Sequence, residues 1–310
     1  MTLHRVRASL VISICLAALG CRGDGKLAVS DSAAALPSPS AQTPVPSVNT
    51  GWDTTEAGPV MLLSGSESMA NAAVVLPDLT DSALAAIPTF VLEPLSNMPV
   101  DLFSPAGLVG TAALVISSQK LNTEGCVAWP TAMLSPPPGR EWRFGFRKGI
   151  ATALPLDSLE GMTPADSSQV TIEIARIASV VAEGNDPAFR GLPFSVRRAY
   201  RFSFGSTSVV VADVVRKISE EANPREEHLL LVAERSTVGD GKYVAAFESR
   251  VAGSEEVIRT NEILGVIRFV RGKPAIIVTF EYEEGGKIVL LERTGEKQWR
   301  ITWRSAYAGC

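Results

Sequence analysis

Apolar and polar residues alternate along the C-terminal part of the chain. In the run 296–304, Trp299, Ile301 and Trp303 are separated by polar residues. Because successive side chains of a strand point to opposite faces, this pattern indicates a sheet with one buried and one solvated face. Comparable runs occur at 195–205, 228–235, 242–250, 274–284 and 285–293. The glycines and prolines between these runs predict an antiparallel β meander.

The segment 208–222 is compatible with two structures. Its apolar residues are spaced like the stripe of an amphipathic helix, whereas its density of valine favours a strand. We expect a strand that pairs with 228–235 across a turn at Asn223 and Pro224.

Residues 56–155 contain short apolar runs that Gly, Pro, Ser or Asn separate from one another. The runs occupy 59–65, 72–78, 89–95, 99–103, 110–119, 126–134 and 141–146. Runs of this length predict a small β-rich unit, and its prolines indicate loops or edge positions.

One amphipathic helix is predicted between about 164 and 183. Thr163 offers an N-cap hydroxyl, and Pro164 suits the first helical position. Apolar residues then recur at helical spacing, namely Val170, Ile174, Ile177, Ala178 and Val181. The fold class that follows is mainly β (α+β). It comprises a small N-terminal β unit at 56–155 and a second region at 156–310, formed by the central helix and the C-terminal antiparallel β meander.

The first twenty residues have the order of a secretory signal. Arg5 and Arg7 precede an apolar run from Ala8 to Leu19, and Gly20 precedes Cys21. The run of about twelve residues is too short to cross about 30 Å of hydrocarbon comfortably. We therefore expect export and removal of residues 1–20.

The hexapeptide LAALGC at 16–21 resembles the lipobox of bacterial lipoproteins. Ala18 and Leu19 depart from its commonest pattern, and the resemblance covers the N-terminus alone. It implies cleavage before Cys21, acylation of that cysteine and anchoring in a membrane, since several acyl chains make a firm anchor. Ordinary secretory cleavage after Gly20 is the alternative, because residues 18–20 also fit a small-x-small site.

The segment at 21–55 is predicted to be a disordered tether behind the lipid anchor. It is rich in Pro, Ser and Ala, and residues 22–50 include no aromatic side chain. Such a composition buries too little apolar surface to offset the entropy of ordering. A disordered start of a merely secreted protein would have the same composition.

Two cysteines remain in the mature chain once Cys15 leaves with the signal and Cys21 is acylated. These are Cys126 and Cys310. An even pair in an oxidising compartment predicts a disulfide, with two free thiols as the alternative.

The charge balance disfavours polyanionic partners. The chain has 29 basic and 33 acidic residues, and loss of Arg5 and Arg7 makes the net charge about −6. Arginines interleaved with aromatics could bind single-stranded nucleic acid; they are Arg190, Arg197, Arg198 and Arg201. Because alternation places most of these aromatics in the core, we predict no nucleic-acid partner.

His228 is the single histidine outside the signal, and it starts an apolar run, so we predict a structural or solvated role. Zinc-type spacings and phosphate-binding loops are missing from the sequence, which predicts no metal or other cofactor.

Five glutamates lie on predicted strands near aromatics: Glu234, Glu248, Glu281, Glu283 and Glu292, with Tyr243, Tyr282, Trp299 and Trp303. Two carboxylates about 5 to 10 Å apart could hydrolyse a glycan, although a solvated sheet face has the same composition.

These patterns favour an exported cell-envelope lipoprotein that acts as a non-catalytic binding or assembly module. Its expected partners are a membrane, through the lipid anchor, and an envelope protein or glycan. The alternative is a carboxylate-dependent hydrolase that acts on envelope glycan. An enzyme of that kind needs two acids in a cleft, at least one with a shifted pKa.

Overall fold

The computed structural model describes most of the chain from residue 58 onward. Residues 1–57, which include Cys21, therefore lie outside the described residues. Only the backbone is described for residues 116–118, 122, 123, 126 and 127. The described ranges are 58–64, 69–78, 95–118, 122–123, 126–181, 184, 186–219, 223–238, 241–254, 258–270 and 272–309. These residues form antiparallel strands and one α-helix, which confirms the mainly β prediction.

The N-terminal strands close into a small barrel in the order β1-β2-β7-β4-β3-β8. These strands are β1 (Met61–Ser64), β2 (Asn71–Val75), β3 (Pro99–Ser104), β4 (Gly107–Ser118), β7 (Thr131–Ser135) and β8 (Phe144–Arg147). Leu62, Val74, Leu102 and Leu114 are buried in one cluster inside it. Alternation sends Met61, Phe103, Phe144 and Phe146 to the outside, where they cover a neighbouring sheet.

That neighbour is an eight-stranded sheet with the order β5-β6-β19-β17-β16-β15-β9, in which β18 also pairs with β17. Its strands are β5 (Asn122–Thr123), β6 (Cys126–Val127), β9 (Ala151–Leu154), β15 (Thr260–Phe269), β16 (Pro274–Tyr282), β17 (Gly285–Gly295), β18 (Gln298–Arg304) and β19 (Ala308–Gly309). The expected solvated face exists on β18, where Arg300, Thr302 and Arg304 are exposed. By contrast, β16 is buried on both faces, because the barrel covers one and a second sheet the other.

The second sheet has five strands in the order β10-β11-β12-β13-β14. They are β10 (Asp157–Ser158), β11 (Ser195–Phe204), β12 (Thr207–Ile218), β13 (Arg225–Ser236) and β14 (Val244–Ser254). The ambiguous segment 208–222 is thus mainly a strand, and it pairs with β13 as expected. Its valines form a continuous run because both faces are covered. Val211 packs toward the eight-stranded sheet, and Val210 and Val214 pack toward a helix.

That helix, α1 (Pro164–Val180), confirms the predicted helix. Thr163 caps it, with its hydroxyl oxygen accepting from the Asp166 backbone N–H at 3.2 Å. Four apolar residues of the predicted stripe are buried against the five-stranded sheet: Val170, Ile174, Ile177 and Ala178. The layers therefore run barrel, eight-stranded sheet, five-stranded sheet and helix. Short 3-10 turns at Leu159–Gly161 and Pro187–Phe189 flank α1.

Candidate functional site

A cleft opens where the two sheets end together. It has a volume of about 600 Å³. Thr207, Glu234 and Ser236 of the five-stranded sheet line one side, while Arg293 and Lys297 from the β17–β18 hairpin line the other. The cleft thus joins residues about sixty positions apart in sequence, which no local pattern could reveal.

Glu234 forms the floor of this cleft and is 1% exposed. It shares a face of β13 with Leu230 and Val232, so the strand period directs it between the sheets. Arg293 donates to it twice, Nε to Oε1 at 2.7 Å and Nη2 to Oε2 at 2.9 Å. The Trp299 indole N–H donates to Oε1 at 2.6 Å, and the Lys297 backbone N–H donates to Oε2 at 3.0 Å.

The hairpin geometry makes these contacts possible. The β17–β18 register shifts between Arg293 and Gly295, and Lys297 has a φ of 52°. In this left-handed backbone conformation the Lys297 N–H points toward the buried Glu234 carboxylate. The hydrogen bond between them stabilises the turn. The carboxylate therefore fixes both the Arg293 side chain and the backbone at Lys297.

The environment of Glu234 keeps it charged. Burial by itself raises the pKa of this carboxyl, but the hydrogen bonds from Arg293, Trp299 and Lys297 outweigh burial and hold the pKa below its usual value. The same ion pair raises the pKa of the Arg293 guanidinium. Because its oxygens already accept from four donors, Glu234 is poorly placed to exchange protons with a substrate.

A second charged network lies between the same sheets, around His228. This side chain is 2% exposed, with Nε2 2.7 Å from Glu226 Oε2 and Nδ1 3.5 Å from Asp213 Oδ2. Asp213 also accepts from Arg197 at 3.0 Å and from the Asn261 side-chain amide at 2.8 Å. The structure thus shows His228 in buried contact with two acids, within an ionic core network.

Charge compensation determines the protonation of His228. Burial lowers its pKa, but hydrogen bonds and charges from Asp213 and Glu226 outweigh burial and raise the pKa above its ordinary value. The sequence offered a signal for this network that we did not use. Asp213 is an isolated acid within a valine run, and such a residue needs a partner when it is buried.

The predicted glutamates do not assemble into one site. Glu248 and Glu283 are exposed, and Glu292 is half-buried beside its cross-strand partner Arg300. Glu281 instead accepts a hydrogen bond from the Thr260 hydroxyl at 3.5 Å, and it is influenced electrostatically by Glu262, an acid that the sequence analysis did not select. Burial, followed by the neighbouring Glu262, raises the pKa of the Glu281 carboxyl.

The aromatics named with these glutamates are also distributed. Trp299 contacts Glu234, whereas Trp303 packs near the barrel-facing core. Tyr243 is buried, with its hydroxyl 2.7 Å from Ser208 Oγ, and Tyr282 is exposed. No aromatic platform therefore accompanies a pair of the predicted acids among the described residues.

Three of the four candidate arginines form ion pairs. Arg197 contacts Asp213 at 3.0 Å, Arg198 lies 3.6 Å from Glu262 and Arg201 lies 3.7 Å from Asp157. Arg190 is exposed after the second short turn. The described part of the chain contains no group of three or more His, Cys, Asp or Glu side chains that could hold a metal ion.

The predicted disulfide cannot be placed among described side chains, because Cys310 and the Cys126 side chain lie outside them. No helix within the described ranges has both the length and the apolar character needed to cross a bilayer.

Comparison with protein-family models, curated proteins and solved structures finds no match to this chain.

Proposed function

We propose that this chain is an exported envelope lipoprotein, anchored through Cys21, whose folded region is a non-catalytic binding or assembly module. The saturated Glu234 beneath an open polar cleft supports the second part of this proposal, and the lipobox resemblance at 16–21 supports the anchoring. A cleft whose buried acid is fully engaged provides recognition groups, but that acid is not available as a general acid or base. The partner is an envelope protein or glycan.

Anchoring is tested by fractionating membranes from cells that express the full chain. Wild-type protein is expected in the membrane pellet with an acylated mature mass, and Cys21→Ser is expected in the soluble fraction. Cys15→Ser is the matched control, because Cys15 lies in the segment that we expect to be removed. A soluble wild-type protein of unmodified mature mass would contradict this part of the proposal.

A Cys126–Cys310 disulfide remains part of the proposal. Antiparallel β6 and β19 pair Val127 with Gly309, so each cysteine is the neighbour of a paired residue on adjoining strands. The bridge would close a loop of roughly 185 residues, for which chain entropy gives about 5 kcal/mol. Denatured, non-reduced protein is expected to show no free thiol at either position, and rapid labelling of both would rule the bridge out.

One observation favours hydrolysis as a second candidate function. Glu281 has a raised pKa next to Glu262, and Arg143 pairs with Glu262 at 2.8 Å. A glycosidase uses two neighbouring acids whose environments differ, and in retaining enzymes the two carboxyl groups are about 5 Å apart. Incubation of the protein with envelope glycan tests this function. Release of sugar products that Glu281→Gln abolishes and Glu283→Gln preserves would favour hydrolysis over binding.

A further inference from the structure

We propose that the cleft beside Glu234 binds an anionic group carried on a hydroxyl-rich molecule, a uronic acid or a sugar phosphate of the envelope glycan. This inference rests on the proposed binding function and specifies its ligand. Three features of the described lining support it: an excess of positive charge, a set of hydroxyl groups and the lack of an aromatic face.

The positive charge remains after internal pairing. Arg293 is neutralised by Glu234, which leaves Arg235, Lys242 and Lys297 as the other cations of the described lining. The single further lining acid among those residues is Glu296, an exposed side chain 3.9 Å from Lys297 Nζ. A concave surface with this balance attracts anions.

The polar partners of the cations are hydroxyl groups. Ser206, Thr207 and Ser236 lie at the ends of β12 and β13, where Thr207 and Ser236 are cross-strand partners. Ser236 Oγ accepts from the Val238 backbone N–H at 3.1 Å, which leaves its proton free to be donated. Hydroxyls beside cations match the hydroxyls and charge of an acidic sugar.

The described residues that line the cleft include no aromatic side chain. Trp299 and Tyr243 lie next to the cleft but are each only 5% exposed. Phe204, whose ring centroid lies 5.9 Å from the Arg293 guanidinium carbon, is half-buried and is not one of these lining residues. Recognition by the described lining therefore depends on charge and hydrogen bonds.

Part of the site is ordered in advance. The Arg235 guanidinium lies 4.6 Å from the Tyr243 ring centroid, and the Tyr243 hydroxyl contacts Ser208. Arg293 is fixed by its two bonds to Glu234. Groups that are already positioned lose less entropy when a ligand binds, so modest contacts give measurable affinity.

The test is isothermal titration of the full-length protein in detergent with trigalacturonate, glucose 6-phosphate and neutral maltotriose. At least one anion is expected to bind in a salt-dependent manner, and maltotriose is expected not to bind. Binding of trigalacturonate alone identifies a uronic acid, and binding of glucose 6-phosphate alone identifies a sugar phosphate. Maltotriose that binds as tightly as the anions, or failure of both anions to bind, would overturn the inference.

Charge reversal locates the site. Lys242→Glu with Lys297→Glu is expected to weaken anion binding by at least about tenfold, because about 1.4 kcal/mol of interaction corresponds to that factor. Lys148→Glu with Arg140→Glu is the matched control, since both residues are exposed on the barrel side and produce the same change in net charge. Equal weakening by both double variants would refute the placement.

Lys242→Glu alone keeps the test decisive if substitution at the hairpin impairs folding. Lys242 is exposed and precedes β14, so reversal there is expected to leave the fold intact and still weaken binding. Unchanged affinity in this folded variant would also contradict the inference. Failure of anion binding would contradict this inference alone. The anchoring is tested separately by membrane fractionation, and the non-catalytic role is tested separately by the assay for product release.

Discussion

Replacement of Glu234 by Gln is the most informative single perturbation of the fold. The substitution keeps the side-chain shape but removes the charge, and it places an amide N–H₂ against Arg293 or Trp299, which are donors themselves. Removing one partner of a buried ion pair costs about 3 to 5 kcal/mol. Since the Arg293 side chain is 14% exposed, water compensates part of the loss, and we expect a cost of about 3 kcal/mol.

Urea unfolding followed by tryptophan fluorescence measures this cost. A loss of about 3 kcal/mol lowers the urea midpoint by about 1 to 1.5 M for slopes of about 2 to 3 kcal/mol/M. Glu292→Gln is the matched control, because Glu292 is a half-buried glutamate on β17, adjacent to Arg293 in sequence. Its free energy of unfolding is expected to change by less than about 0.5 kcal/mol.

The pH dependence checks the electrostatic cause. The pKa of Glu234 is lower in the folded protein than in the unfolded chain, so its stabilisation is present above the unfolded pKa and is lost as pH falls through the folded pKa. Wild type and Glu234→Gln should therefore converge in stability under acid conditions. A difference that stays constant from pH 7 to about pH 3 would refute the electrostatic reasoning, as would equal midpoints at neutral pH.

Two further substitutions test the layers on either side of the eight-stranded sheet. Gly265→Ala would place a Cβ 2.7 Å from Phe144 Cζ, and it is expected to destabilise the protein by about 1 to 3 kcal/mol in urea unfolding. Gly110→Ala, which has nothing within 4 Å, should have little effect, and equal costs would disprove the close packing of barrel on sheet. His228→Gln should cost more at pH 6 than at pH 9. The folded pKa of His228 is raised, so its stabilisation is present below the unfolded pKa and is lost as pH rises through the folded pKa. An equal cost at both pH values would show that the imidazolium charge contributes nothing.

Local patterns predicted α1 and most of the long strands, but they did not select β9 (Ala151–Leu154) or β15 (Thr260–Phe269). The alternation of Trp299, Ile301 and Trp303 marked a strand because one side of β18 remains solvated. The cap at Thr163 and the apolar stripe after it defined α1, since capping and helical spacing depend on residues a few positions apart. The valine density of β12 correctly outweighed a spacing that also fitted a helix.

Closure of the barrel and the burial of both faces of β16 were decided by tertiary structure. Short strands with prolines between them fit an open sheet as well as a barrel, and closure depends on the pairing of β1 with β8 across the whole unit. The barrel-facing and sheet-facing residues of β16 look alike in sequence because both are apolar.

The candidate site also depended on long-range packing. The sequence selected Glu234 as an acid near aromatics, but it could not reveal that Arg293, Lys297 and Trp299 would surround that carboxylate. A glutamate at an alternate strand position can face either the solvent or the core, and the pKa of its carboxyl depends on which of these environments surrounds it. The sequence determined the residue types on each strand. The packing of the two sheets determined that Glu234 is buried and charged, and that its carboxylate oxygens are fully hydrogen-bonded below the cleft.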